Sequence, residues 1–199
     1  MSDVCSDYSI ELSMDGLKQS ATLLKNKEKT LPLNANEISS VAIIGPNAEL
    51  AQTIASYYGP GNHCLVDNPP TLVDAIQQFV PLTAAYLGVP NVTSTDESGI
   101  PDAVKAAKSA DQVVLAVGTD LTWAMEGHDA ESIAFTDAQA KLIKDVSTAA
   151  SKPVVLVLFT ATPLDLSDVL ANDNIGAILY VGQPSVTIFG AGDLLFGER

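Results

Sequence analysis

The chain has 199 residues, 47% of them hydrophobic and 17% charged, with a formal net charge of −14 at pH 7. This length and composition favour a single folded domain with a sizeable core and exclude a disordered chain. The acidic excess argues against nucleic acid and anionic membrane surfaces as partners, because both bind clustered Lys and Arg. No apolar run in the sequence reaches the roughly 18 residues that a membrane-spanning helix needs.

The first part of the chain predicts two helices and one clearly buried strand. Apolar residues at helical spacing predict a helix over residues 9–26, and a loop is predicted over residues 27–40. Residues 41–44 form a continuous apolar run, which is typical of a strand buried in a parallel sheet. A cap at Thr71 predicts a short helix over residues 71–79.

The remaining elements alternate between strands and helices. Apolar runs predict strands at residues 83–86, 113–117, 154–158 and 177–181. Helical spacing and capping residues predict helices at residues 101–109, 136–150 and near 186–196. Such alternation, without hairpin turn signals, predicts an α/β fold with a mostly parallel sheet covered by helices on both faces. In such a sheet, ligands bind at the carboxyl ends of the strands.

The turn residues give no pattern typical of a cofactor or metal site. Gly45-Pro46 follows the first buried strand without GxGxxG spacing or a Walker A motif, so a tight turn is preferred over a nucleotide site. His63 and Cys64 are adjacent, but no further ligands at workable spacing accompany them, and adjacent side chains rarely form a nucleophile pair. The sequence therefore predicts no metal and no cofactor. Whether Cys5 and Cys64 pair stays open.

The densest polar cluster lies in the loop predicted at residues 118–135. Glu126, His128 and Asp129 bring two carboxylates and an imidazole close together. These groups suit acid–base chemistry or metal binding, and they equally suit a solvated loop with local hydrogen bonds. Elsewhere, Asn91-Val92-Thr93 is an acceptor sequence for N-glycosylation and stands among turn residues.

Several short motifs, in matching order and spacing, resemble the second domain of glycoside hydrolase family 3. They lie at residues 23–26, 30–33, 41–48, 57–60, 106–111, 118–120 and 126–134. Within the family they most resemble the fungal and plant β-xylosidases. The resemblance covers nearly the whole chain and implies a domain over residues 17–199, preceded by an extension or linker remnant at residues 1–16.

The resemblance implies a three-layer sandwich of the (αβ)6 type that packs against a TIM-like barrel. The barrel would supply an Asp nucleophile, and the sandwich a Glu acid/base from the loop at residues 118–130. Retaining hydrolysis needs both carboxyl groups, roughly 5–5.5 Å apart. The family also implies a secreted, extracellular protein, although no signal peptide is visible at the start of this chain.

The chain departs from the family pattern where the acid/base is expected. That position falls on Ala124, and the Arg of the pattern falls on Ala130. A methyl group cannot transfer a proton, an assistance worth about 10²–10⁴-fold in rate. Two glycine-rich turns of the family are also replaced, at residues 160–165 and 183–188. Glu126, two residues from the expected position, is the alternative acid/base.

Three functions are compatible with these residues. The first is a non-catalytic domain, a pseudoenzyme with a structural role or one that binds a xylo- or gluco-oligosaccharide. The second is part of an active exo-acting β-xylosidase or β-glucosidase, with Glu126 as acid/base and its nucleophile on a missing barrel. The third is a subunit that self-associates through the apolar face where a barrel would dock. The candidate substrate-binding residues are Tyr57, Tyr58, Trp123, His128 and Asp129.

Overall fold

The computed structural model describes residues 5–49, 69–184 and 187–198. In chain order its helices and strands are α1 (Asp7–Ser20), β1 (Thr22–Asn26), β2 (Val41–Ile44), α2 (Leu72–Gln77), β3 (Thr83–Tyr86), α3 (Ile100–Ser109), β4 (Gln112–Gly118), α4 (Asp137–Ala149), β5 (Val154–Phe159), α5 (Ser167–Ala171), β6 (Ile175–Gly182) and α6 (Phe189–Phe196). Short 3-10 turns at Lys27–Lys29 and Ala35–Glu37 lie in the predicted loop between β1 and β2. In this described part of the chain, no helix is both long and apolar enough to cross a membrane.

The strands form one six-stranded sheet in the order β1-β6-β5-β4-β2-β3. All neighbours run parallel except β1, which pairs antiparallel with β6. The central strands β4 and β5 are buried along their whole length, because helices cover both faces of the sheet. The prediction of an α/β sandwich with a mostly parallel sheet is confirmed.

Two apolar cores separate the sheet from the helices on either side. On one face, strand residues such as Val155 and Val157 pack with residues of α1, α2 and α6. On the other face, Leu156 and Leu158 pack with residues of α3, α4 and α5. Successive strand residues point to opposite faces. Because both faces are covered, the strands appear in the sequence as uninterrupted apolar runs.

The side-chain caps predicted at Thr71 and Thr136 are both present. At α2, the Thr71 hydroxyl accepts a hydrogen bond from the Asp74 N–H (3.3 Å), and the Asp74 carboxylate accepts one from the Thr71 N–H (2.7 Å). This reciprocal pair is a capping box. At α4, the Thr136 hydroxyl accepts from the Gln139 N–H. The α4 cap fixes the direction in which the long loop after β4 enters the helix layer.

The helix predicted over residues 9–26 is wrong in its last part. The helix α1 ends before Ala21, which is extended, and residues 22–26 form the edge strand β1. Leu24 continues the apolar spacing of α1, but it lies in β1, where the pairing with β6 is irregular between Leu23 and Lys25, and it remains exposed. Pairing with a strand that lies far along the chain therefore overrides the local helical spacing.

Candidate functional site

The candidate site lies at the carboxyl ends of the parallel strands, the end of the sheet at which ligand binding is expected. The described connections at this end include residues 87–99 after β3, residues 119–136 after β4 and residues 160–166 after β5. The backbone N–H of Asp165 donates to the carbonyl oxygen of Ile133 at 2.7 Å. The connections after β4 and β5 are therefore joined directly.

A buried glutamine anchors two of these connections to the sheet. The side chain of Gln139 is fully buried. Its Oε1 accepts from the Gly118 N–H (3.1 Å), and its Nε2 donates to the carbonyl oxygens of Gly118 (3.1 Å) and Val92 (2.9 Å). One amide thus holds together the end of β4, the first turn of α4 and the connection after β3. Leaving such a group unpaired in a core costs about 1–3 kcal/mol, which makes this arrangement a firm support for the site.

Buried hydroxyl groups close the turn after β5, where the family resemblance implies glycines. The Thr119 hydroxyl donates to Thr160 Oγ1 at 2.9 Å, and Thr160 Oγ1 donates to the carbonyl oxygen of Thr162 at 2.6 Å. Thr160 Oγ1 also accepts from the Thr162 N–H at 3.1 Å. Side-chain hydrogen bonds therefore stabilise this turn, and it does not rely on the backbone freedom of glycine.

Asn47 connects the turn after β2 to the same place. Its side chain is almost completely buried, and its Nδ2 donates to the carbonyl oxygen of Thr119 at 3.3 Å. Within residues 5–49, 69–184 and 187–198, the buried Oδ1 of Asn47 has no hydrogen-bond partner. Buried polar atoms without a partner are uncommon, and they carry a free-energy cost. Within the described residues, Asn47 Oδ1 is thus an unsatisfied buried acceptor close to the end of β4.

A tight turn at Asp120 fixes the backbone at the position where the resemblance implies the acid/base. The Asp120 carboxylate accepts from the Thr122 N–H (2.7 Å) and the Thr122 hydroxyl (2.6 Å). The N–H groups of Trp123 and Ala124 both donate to the Asp120 carbonyl oxygen, at 3.0 and 3.3 Å. Ala124 is half-buried at the end of this turn, so a methyl group occupies a well-defined place.

A two-residue hairpin follows immediately and determines where Glu126 lies. Met125 and His128 exchange both backbone hydrogen bonds, with N···O distances of 2.8 and 2.9 Å. Gly127 has a φ of 78°, in the left-handed region that favours glycine. Glu126 stands exposed at the tip. Shifting it by two residues to the place of Ala124 would break both hydrogen bonds and would remove the glycine from its position.

An open cavity of about 240 Å³ lies beside this hairpin, lined by Thr93, Thr122, Trp123, His128, Asp129, Glu131 and Ser132. The structure thus brings together three of the predicted substrate-binding residues, Trp123, His128 and Asp129. The other two, Tyr57 and Tyr58, lie outside the described residues. Among the described residues, the buried Nε1 of Trp123 has no hydrogen-bond partner. An aromatic ring surrounded by polar groups is the composition of a small polar-ligand site.

Two carboxyl groups in the connections at this end of the sheet, Asp165 and Asp96, are held in the ionised form. The hydroxyl of Ser167 and then its N–H donate to Asp165, and both lower the pKa of that carboxyl. The Ser98 N–H and then its hydroxyl lower the pKa of Asp96. A general acid needs a raised pKa, so neither carboxyl is suited to that role. Among the described residues, no group of three or more His, Cys, Asp and Glu side chains is placed to hold a metal ion.

Some site residues carried too weak a signal to be found from the sequence. Thr93 lines the cavity but lies in a different connection, so only the fold brings it there. Gln139 stands next to Ala138 on the buried face of α4. A polar side chain on an apolar helix face is the signal by which Gln139 could have been found.

Comparison with protein families and sequences gives consistent results. The family model described as "Glycosyl hydrolase family 3 C-terminal domain" matches residues 21–199. The chain is 35% identical over 198 residues to "Probable beta-D-xylosidase 7" of Arabidopsis thaliana, which covers 99% of this chain and 25% of that protein. It is also 35% identical over 196 residues to "Beta-xylosidase/alpha-L-arabinofuranosidase 2" of Medicago sativa subsp. varia, which covers 98% of this chain and 24% of that protein.

Solved structures with the same fold come from similar enzymes. A family 3 exo-beta-xylosidase in complex with a xylobiose aziridine activity-based probe superposes with a TM-score of 0.87 at 31% identity, covering 99% of this chain and 25% of that one. A beta-glucosidase from Listeria innocua in complex with isofagomine gives a TM-score of 0.84 at 26% identity, covering 99% and 26%. The chain therefore spans about a quarter of the length of these relatives.

Proposed function

Because the chain belongs to the C-terminal domain family of glycosyl hydrolase family 3, we propose that it is a non-catalytic member which binds carbohydrate at the cavity beside Trp123. The proposal has two parts: the loss of the acid/base and the retention of a sugar-binding surface. They rest on different residues and are tested separately.

The loss of the acid/base rests on one observation, the methyl group of Ala124 at the end of the Asp120 turn. The turn and the following hairpin are both closed by backbone hydrogen bonds, so the register of the loop is well defined. Glu126 lies two positions after the expected one, at the tip of that hairpin. The residues described around the cavity do not include Glu126. We therefore favour a domain without general acid–base function.

The retention of carbohydrate binding is supported by the lining of the cavity. The indole of Trp123 lines the cavity and offers an apolar face on which a sugar ring can stack. The Asp129 carboxylate is an acceptor and His128 adds a polar ring beside it. Neutral oligosaccharides also suit a chain whose net charge is −14, because they require no cationic surface.

Binding is tested by calorimetric titration of the purified chain with xylobiose and with cellobiose, a disaccharide of glucose. We expect saturable binding to at least one of them, and a loss of roughly tenfold or more in affinity for Trp123→Ala, about 1.4 kcal/mol, because the indole supplies the apolar contact surface of the cavity. Tyr8→Ala is the matched control, since Tyr8 is 72% exposed on α1 and lies outside the cavity. Equal affinities for the two variants would contradict the assignment of the cavity.

The alternative function is an active exo-acting β-xylosidase or β-glucosidase, completed by a barrel domain that carries the nucleophile. It is favoured by the fact that the chain spans only a quarter of its relatives. In that case the chain mixed with the barrel domain of a relative would hydrolyse an aryl xyloside, and Glu126→Gln would abolish the hydrolysis. Our proposal expects no hydrolysis in that mixture, and expects Ala124→Glu to be the variant that introduces it.

The bounds, location and partners of the domain are inferred from the same resemblance. We propose that residues 17–199 form the domain, with residues 1–16 as an extension. Within α1, Leu17 is the buried residue, and the family match starts shortly after it, at residue 21. An extracellular location, docking with a barrel domain and self-association through an apolar face remain proposals of the same kind.

A further inference from the structure

The acceptor sequence Asn91-Val92-Thr93 is held in a defined conformation on the surface. The Oδ1 of Asn91 accepts from the Thr93 N–H at 3.1 Å and from the Thr93 hydroxyl at 3.0 Å. The Ser94 N–H donates to the carbonyl oxygen of Asn91 at 3.2 Å. Asn91 and Thr93 are both exposed. The Nδ2 of Asn91 takes no part in this turn and is the atom to which a glycan would be attached.

The middle residue of the sequence ties this turn to the rest of the site. Val92 is fully buried, and its carbonyl oxygen accepts from Gln139 Nε2 at 2.9 Å and from the Thr136 hydroxyl at 3.4 Å. Gln139 also holds Gly118 at the end of β4. The position of Asn91 relative to the loop after β4 is therefore fixed by the core.

The turn lies at the rim of the cavity described above. Thr93 lines that cavity together with Trp123, His128 and Asp129, and its hydroxyl contacts Asn91. A sugar attached to Asn91 would thus begin at a side chain that contacts Thr93, a residue of the cavity lining. The acceptor sequence and the polar cluster after β4 lie far apart in the sequence. The fold brings them together at this cavity.

We propose that Asn91 is N-glycosylated and that its glycan covers the Trp123 cavity. In the transfer, Nδ2 of Asn91 forms a bond to the anomeric carbon of the first sugar and loses a proton, while the bond from that carbon to the diphosphate of a lipid-linked oligosaccharide donor breaks. The linked sugars shield the indole of Trp123 and compete with free oligosaccharides. The shielding is independent of the proposed carbohydrate binding, whereas the competition rests on it.

The modification is tested by intact-protein mass spectrometry of the full chain expressed through a eukaryotic secretory pathway. We expect the mass of the polypeptide plus one oligosaccharide, which peptide-N-glycosidase removes. Asn91→Gln and Thr93→Val should lose the added mass, and Thr93→Ser should keep it, because serine preserves the acceptor sequence and a hydroxyl at this position. Unmodified wild-type chain, or a glycan that survives Asn91→Gln, would overturn the proposal.

The covering is tested with the single tryptophan of the chain, Trp123, whose fluorescence is quenched by acrylamide. We expect stronger quenching in Asn91→Gln than in the glycosylated wild type, with the circular dichroism spectrum unchanged, and a weaker xylobiose affinity in the glycosylated form. Equal quenching in the two proteins would overturn the covering. If quenching differs but neither form binds any sugar, the covering stands and the proposed carbohydrate binding fails.

Discussion

Gly118 illustrates at the residue scale why the end of β4 tolerates so little change. Its φ is 142°, a conformation that side chains rarely adopt, and a Cβ placed there would overlap the backbone carbonyl of Phe159 in the neighbouring strand. Gly127, at the tip of the hairpin, also has a positive φ of 78°, but a Cβ there would meet nothing within 4 Å. A side chain at Gly118 would therefore suffer both backbone strain and steric overlap, whereas one at Gly127 would suffer backbone strain alone.

We expect Gly118→Ala to lower the free energy of unfolding by roughly 3 kcal/mol or more, because strain and overlap add. Gly127→Ala should lower it by only about 1–2 kcal/mol, the cost of a left-handed conformation alone. Urea denaturation of both variants and the wild type measures the difference. Equal losses for the two variants would show that the contact with Phe159 does not limit the end of β4.

The candidate site was predictable only where its residues stand together in the sequence. Trp123, His128 and Asp129 lie in one strand-end loop, so a polar cluster marked them. Thr93 joins them through the pairing of strands and the packing of α4, which the local sequence does not reveal. The replacement of the acid/base by Ala124 was visible in the sequence only because the family resemblance indicated which position to inspect.

At the scale of elements, charged side chains hold the edge strand β1 in place, in addition to its backbone hydrogen bonds with β6. The Lys25 ammonium donates to the carbonyl oxygens of Leu170 and Asn172, at 2.9 and 2.8 Å, near the end of α5. The Lys27 ammonium lies 2.8 Å from the Asp173 carboxylate. The hydrogen bond from Lys27, followed by the attraction of its charge, lowers the pKa of Asp173. These contacts join β1 to the segment between α5 and β6.

The lowered pKa of Asp173 fixes the sign of a pH effect. Stability from this pair is fully present above the unfolded pKa of an Asp, about 3.9, and is lost as the pH falls through the lower folded value. We expect a double-mutant cycle of Asp173→Asn and Lys27→Met to give a small favourable coupling at neutral pH, since both groups are exposed. Coupling of the same size well below the folded pKa would contradict an ionic origin.

The buried and the exposed strands differ in how well their sequences predict them. The strands β4 and β5 are covered on both faces, so their apolar runs were sufficient. The edge strand β1 is exposed over most of its length, and Leu24 within it continues the apolar spacing of α1. The helix α5 has five residues, too few for a periodic pattern. Prediction therefore failed where the structure depends on distant partners or on very short elements.

At the scale of the whole molecule, the net charge of −14 opposes the compact state. The chain has 24 acidic side chains and only 10 Lys and Arg. Few ion pairs offset the repulsion: four are present within the described residues, and two of them share Lys141. Stability thus rests on the two apolar cores, while the surface charge acts against them.

Added salt should therefore stabilise this domain, because it screens repulsion between exposed carboxylates more than it weakens the few ion pairs. We expect a gain of about 1 kcal/mol between low and physiological ionic strength, which for a chain of this size is about 2–4 °C in melting temperature. Calorimetry over a sodium chloride series measures the change in melting temperature, and a repeat with choline chloride excludes a specific cation effect.

Running each series at two protein concentrations separates screening from the proposed self-association, since only association makes the melting temperature depend on protein concentration. A melting temperature that falls with salt at both concentrations would mean that attractive pairs, and not net repulsion, dominate the surface.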